Sequence, residues 1–268
     1  MRWAEAGGVA LRFEITGAGQ TTVLIHEAGG SLESWDAVAP GFAGDGRVLR
    51  YDQRGFGLSE RVTALSLENM VADLIALLDV MAIGGRCRLL GTAIGGTIAL
   101  ELAAWHPDRV AAVVATSPVT GGLSAAAAAG LEQRAQLLEH EGMRAVADAS
   151  LQRSYPERFR SDPDKFEQYR LRFMANDPRS FAALSRTYSR IDLESLYARI
   201  HCPALIIGCT GDPIKPAEEC RALASRLQRA RYQEIDSAHF IGLVSPRRLI
   251  DAARDFFDRQ QWAVEPSP

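Results

Sequence analysis

The sequence predicts an α/β fold, a mostly parallel central sheet flanked by helices, with a helical insertion between two of its strands. Three observations carry this. Compact apolar runs at 22–25, 47–51, 110–115 and 203–208 alternate with stretches whose apolar residues recur at helical spacing. The segment 86–100 reads as a short apolar strand, a sharp turn and an apolar helix. The alternation stops near residue 120 and resumes near 200, which divides the chain into a core of 1–119 with 200–268 and a helical cap, or lid, of 120–199.

Taken in order, residues 9–15 alternate apolar and polar and end at Gly17, a strand in a hairpin with the first residues. The β-branched run at 22–25 empties into His26-Glu27-Ala28-Gly29-Gly30. Ser34-Trp35-Asp36 opens a short helix, and 47–51 is the next strand. From Ser66, a fitting N-cap, Leu67, Met70, Val71, Leu74, Leu77 and Leu78 mark one helical face. The insertion holds an alanine run at 125–129 leading to helices at 131–140 and 143–152. Asp162-Pro163 and Asp177-Pro178 each set a capping aspartate before a proline at the first helical position. After the insertion come the strand at 203–208, a helix at 217–227, a strand at 231–235, a closing helix at 246–259 and a loose tail at 264–268.

The 268 residues are ample for a large core, and 47% hydrophobic with 24% charged content is that of a globular protein. A net charge of −3, with no basic patch among aromatics, excludes a nucleic-acid partner. No run approaches the ~20 apolar residues of a bilayer span, and the first residues lack a signal peptide's apolar core. Cys87, Cys202, Cys209 and Cys220 form no C-x-x-C pair and read as free thiols of a reducing cytosol, so the expected location is cytoplasmic. Nothing has metal-ligand spacing, and no cofactor is expected. The expected partner is a small-molecule substrate, and the chain is read as a monomer or homodimer.

Gly91-Thr92-Ala93-Ile94-Gly95 has the frame of a nucleophile elbow, G-x-S-x-G, with alanine at the serine position. A methyl group neither attacks a carbonyl nor shares a proton with histidine. With the His26–Gly30 loop, the run Asp52-x-Arg54-Gly55-x-Gly57-x-Ser59, and late Asp212 then His239, the chain resembles the α/β-hydrolase superfamily over essentially its whole length. It is most similar to small capped enol-lactonases and C–C bond hydrolases.

The resemblance implies roles. His239 is the general base and Asp212 the acid that fixes its tautomer; Ala93 holds the nucleophile position. Backbone N–H groups of Glu27 and Ile94 form the oxyanion hole. Glu27 departs from the small residue usual there. Ionised and facing inward, its carboxylate repels an oxyanion; buried and neutral, it donates a proton, which makes it an acid–base candidate. Trp35, Phe240 and Tyr188 are the expected substrate-lining aromatics, against the plainer reading of such rings as core. His26 reads as an orienting residue, and Asp52, Arg54 and Ser59 as a hydrogen-bonded loop tie.

Three accounts of Ala93 follow. A His–Asp dyad works without a covalent adduct on an activated lactone, ester or diketone. A serine was replaced by alanine to trap substrate. A receptor kept the pocket and lost the chemistry. Glu27 favours the first, because a second unusual residue points to a site retuned as a whole.

Overall fold

The structure, a computed structural model, describes residues 2–44 and 46–261; the tail expected at 264–268 lies outside them. Its eight strands are β1 (Arg2–Ala6), β2 (Val9–Thr16), β3 (Thr21–Ile25), β4 (Arg47–Tyr51), β5 (Cys87–Thr92), β6 (Val110–Thr116), β7 (Ala204–Cys209) and β8 (Ala230–Ile235). They form one sheet in the order β1-β2-β4-β3-β5-β6-β7-β8. The β1–β2 hairpin joins β4 antiparallel, and every other pairing is parallel.

The helices are α1 (Pro40–Ala43), α2 (Leu67–Val80), α3 (Ile94–Trp105), α4 (Ala125–Glu141), α5 (Arg144–Ser154), α6 (Pro163–Met174), α7 (Pro178–Tyr188), α8 (Ala217–Arg226), α9 (Ile241–Val244) and α10 (Pro246–Gln261). The period of two in a strand sorts them onto two faces. Val23, Leu49, Leu89, Val113 and Ile206 point into one core with α2, α3 and α8. Leu24, Val48, Leu90, Val114 and Leu205, each the next residue along or the one before, point into a second core with Phe42 of α1 and Leu249, Phe256 and Phe257 of α10. This is the α/β-hydrolase arrangement, a mostly parallel sheet with helices on both faces.

Helices α4–α7 lie between β6 and β7. The capping expectations there hold: Asp162 accepts the N–H of Lys165 at 3.0 Å and Asp177 that of Ser180 at 2.8 Å. Two local expectations change. The alanine run is the start of α4 itself, because Ser124 caps it by accepting the N–H of Ala127. The helix expected from Ser34 is a 3-10 turn, Leu32–Trp35, entered through Ser31.

Parallel strands put their carboxyl ends on one rim, where ligands of open α/β sheets bind. The loops leaving β3, β5, β7 and β8 carry Glu27, Ala93, Asp212 and His239. Gly95 makes the closest passage there. A Cβ on it would fall 2.1 Å from the carbonyl oxygen of Ile25 and 2.7 Å from that of His26, so glycine alone lets α3 start against the end of β3.

Candidate active site

Ala93 joins β5 to α3 at φ 52° and ψ −118°, a region that L-residues avoid. Such a residue costs ~1–3 kcal/mol and persists where its surroundings fix it. Here its N–H donates to the carbonyl of Thr116 at 2.9 Å, and its carbonyl accepts the N–H of Thr97 at 3.1 Å. The turn presents position 93 at the rim, and Ile94 opens the helix with an N–H that has no acceptor within α3. The close passage at Gly95 brings the start of α3 against the chain entering Glu27.

Asp212 and His239 meet. Nδ1–H of His239 donates to Asp212 Oδ2 at 2.6 Å, and both residues are buried. The second oxygen, Oδ1, accepts the N–H groups of Ile214 at 2.8 Å and Lys215 at 3.0 Å. Burial pushes the Asp212 carboxyl up, but the charge and hydrogen bond of His239 and the Lys215 N–H outweigh it and hold the group below the ordinary aspartate value. An ionised Asp212 makes Nδ1 the donor and leaves Nε2 as the basic nitrogen.

Glu27 is shielded from solvent, and among the described residues no cation pairs with it. It is 3% exposed, and its Oε1 accepts the hydroxyls of Ser34 at 2.7 Å and Tyr169 at 2.9 Å. Burial first, then the Glu27 carboxylate, raises the Tyr169 phenol well above its usual value, so it stays a donor. Sequence reasoning missed both hydroxyls. Ser34, in the first turn of a short helical segment, was a local signal, whereas Tyr169 lies 142 residues away on α6 and gave none. His26 orients the loop: its Nε2 accepts the N–H of Gln53 at 3.0 Å, so Nδ1–H donates to the Glu27 carbonyl at 2.7 Å. Asp52 accepts the N–H groups of Leu32 and Leu58, Ser59 donates to the Asp52 carbonyl, and Arg54 pairs with Asp73.

The expected aromatics divide. Phe240 lies beside His239, with ring centroids 5.4 Å apart, and 5.6 Å from Tyr169. Tyr188 is partly buried at the end of α7. Trp35 is a correction. It is 1% exposed and fills the second core with Leu24, Val38 and Phe42, against Gly242 of α9. The Leu32–Trp35 turn lays its ring into the core on one face of the sheet, where apolar burial holds it.

A cavity of about 220 Å³ opens where the loop of Gly29, Gly30, Ser31 and Glu33 meets Arg172 and Asn176 at the end of α6. Asn176 Nδ2 donates to the Gly29 carbonyl at 2.9 Å. Among the described residues no cluster of His, Cys, Asp and Glu is placed to hold a metal ion, and no helix is long and apolar enough to cross a membrane.

The pattern of the family described as serine aminopeptidase, S33, matches residues 18–239. The chain belongs to that hydrolase family. A thermophilic esterase from Thermogutta terrifontis, solved with malate bound, has the same fold at a TM-score of 0.91, with 26% identity over 97% of this chain and 99% of that one. The enol-lactonase from Burkholderia xenovorans LB400 follows at 0.90, with 28% identity over 96% and 100%. The 3-oxoadipate enol-lactonase 1 of Acinetobacter baylyi is 23% identical over 252 residues, 93% of each chain. Membership makes the chain a hydrolase-like enzyme of the α/β-hydrolase fold.

Proposed function

We propose that this family member hydrolyses a small activated carbonyl compound, a lactone, ester or β-diketone, by general-base catalysis without a covalent adduct. The buried hydrogen bond from His239 to Asp212, on the same rim as Ala93, is the observation that carries the reading. The likeness to an enol-lactonase and an esterase supports the substrate class.

In this mechanism Nε2 of His239 takes a proton from water as the water oxygen attacks the carbonyl. The developing oxyanion is received by the backbone N–H groups of Glu27 and Ile94. Collapse breaks the bond to the leaving group, and the imidazolium returns its proton to the departing oxygen or carbon. Asp212 stabilises that imidazolium. Glu27 is the second acid–base group, its carboxyl held off the oxyanion by the Ser34 and Tyr169 hydroxyls. Ala93 contributes a methyl wall where the elbow would otherwise carry a nucleophile. The helices of 120–199 act as the cap over this rim, with Tyr188 and Phe240 lining the substrate. Unpaired cysteines, three of them buried, suit a cytoplasmic location.

Positioned proton transfer supplies ~10²–10⁴-fold, enough for an enol ester or a diketone and too little for an amide. The test compares the parent with His239→Ala and Ala93→Ser on activated esters, lactones and β-diketones. The expected result is parent turnover that falls ~10²–10⁴-fold in His239→Ala. A parent without turnover that gains strong activity with Ala93→Ser overturns the non-covalent mechanism in favour of a serine hydrolase lacking its hydroxyl. Ligand binding with no turnover in any variant makes the protein a receptor.

A further inference from the structure

The carboxyl of Glu27 sits in a place fitted to it. Ser34 of the core and Tyr169 of α6 both donate to Oε1, at 2.7 Å and 2.9 Å. Gly30 completes the fit. A Cβ there would lie 2.7 Å from the carboxyl carbon of Glu27 and 2.8 Å from the Ser34 hydroxyl. Gly30 is not one of the glycines with a positive φ, so space and not backbone conformation calls for it. Gly30 also lines the 220 Å³ cavity, which brings that open space to within one residue of the carboxyl.

Only half of the carboxyl is used. The other buried carboxylates of the rim loops use both oxygens. Asp212 accepts His239 on Oδ2 and two backbone N–H groups on Oδ1. Asp52 accepts the N–H of Leu32 on Oδ1, and Arg12 and the N–H of Leu58 on Oδ2. In Glu27 both hydroxyls meet Oε1. Among the described residues no donor meets Oε2, and Oε2 is not one of the enclosed polar atoms that lack a partner. The group is pinned through one oxygen and open through the other. A substrate that displaces water from Oε2 must pair it or leave it bare, and a bare buried acceptor is costly. A methyl group leaves it bare, a second carboxylate repels it, and a hydroxyl donates to it.

Resting on the hydrolase reading above, we infer that Glu27 determines specificity: its Oε2 accepts a hydroxyl carried on the α or β carbon of the substrate's acyl group. In that reading the N–H of the same residue receives the oxyanion. Only a few covalent bonds separate that N–H from Oε2, which places the hydroxyl close to the reacting carbonyl.

The test uses nitrophenyl esters in pairs, β-hydroxybutyrate with isovalerate and lactate with isobutyrate, so that a hydroxyl replaces a methyl group within one shape. Each kcat/KM ratio is divided by the same ratio in alkaline hydrolysis. In the parent, the hydroxy ester of at least one pair should be favoured by about 10–100-fold. Glu27→Leu should bring that ratio close to one. Glu27→Gln keeps an acceptor for Ser34 and Tyr169, which protects the fold, and turns an NH₂ toward the substrate. It should admit the β-methoxybutyrate ester, which only accepts hydrogen bonds and which the parent should turn over poorly. Parent ratios near one in both pairs, a ratio unmoved by Glu27→Leu, or a Glu27→Gln that rejects the methoxy ester as the parent does overturns the inference.

Calorimetric binding of the matching amides to parent, Glu27→Leu and His239→Ala separates this from failure of the catalytic reading, because the dyad is too weak to hydrolyse an amide. A preference for the hydroxy amide that survives His239→Ala and is lost in Glu27→Leu upholds the site even where no ester turns over. Equal binding of hydroxy and methyl amides by the parent ends it. A preference kept in Glu27→Leu and lost in His239→Ala gives the hydroxyl to the imidazole and ends it as well.

Discussion

Two hydroxyls on one carboxylate oxygen make Glu27 the most informative residue at the rim. An acceptor that carries charge gains ~1.5–3 kcal/mol from each hydrogen bond, a neutral one ~0.5–1.5 kcal/mol. Tyr169→Phe removes one donor and almost nothing else, since the ring stays among Phe173, Tyr155 and Phe240. In the parent it should cost about 1.5–3 kcal/mol of unfolding free energy. In a Glu27→Gln background the amide oxygen still accepts, and the same change should cost only about 0.5–1.5 kcal/mol. Denaturant unfolding of the four proteins measures the difference as a coupling energy. Additive costs would mean that Tyr169 gains nothing from Glu27, and the anchoring of that side chain by the Tyr169 hydroxyl would lose its support.

At the level of elements, α3 carries a charge that its packing resists. Glu101 is 5% exposed, and burial, helped by the nearby carboxylate of Glu68 on α2, pushes its carboxyl up to about 7 from 4.5. Folding therefore takes up a proton between about pH 4.5 and 7. The folded state is favoured on the acid side of that window and loses stability as the pH rises through it. Glu101→Gln should flatten this slope, leaving stability near pH 4 little changed and raising it above pH 7 by on the order of 1–3 kcal/mol. Urea midpoints across that range test it, and a parallel offset at every pH would refute the shift. Glu101 was silent in the sequence, because burial of a polar helix position depends on which helices pack around it. What was legible had local causes. Capping aspartates before prolines fixed α6 and α7, β-branched runs fixed the inner strands, and the glycine frame fixed the turn at Ala93. Asp212 and His239 were paired by the resemblance to the family, and the structure joins them by one hydrogen bond. Trp35 was misread because an aromatic in a loop turn does not declare which face of the sheet it will fill.

Across the whole molecule, one apolar core runs from the sheet into the insertion. Leu89 of β5 and Ile98 of α3 belong to the same cluster as Leu138, Tyr169, Phe173 and Phe181 of the inserted helices. Polar ties follow the same seam. The Ser180 hydroxyl accepts the N–H of Val62 at 3.0 Å and donates to its carbonyl at 2.8 Å. Thr187 donates to the Leu65 carbonyl at 2.7 Å, and Lys165 to that of Leu243 at 2.7 Å. A cap free to melt on its own would need few such bonds and its own separate core. The structure gives it neither, so sheet and insertion should unfold together. Calorimetry should record a single transition whose calorimetric and van't Hoff enthalpies agree. Phe181 sits where the two parts join, in edge-to-face contact with Phe56 and Phe173. Phe181→Ala should cost ~3–5 kcal/mol, the range for emptying a buried aromatic site. Because the core is shared, that loss should lower the one transition as a whole. A variant that instead shows an early melt of the helices followed by an unshifted main transition would establish the insertion as an independent unit, and the seam as a hinge.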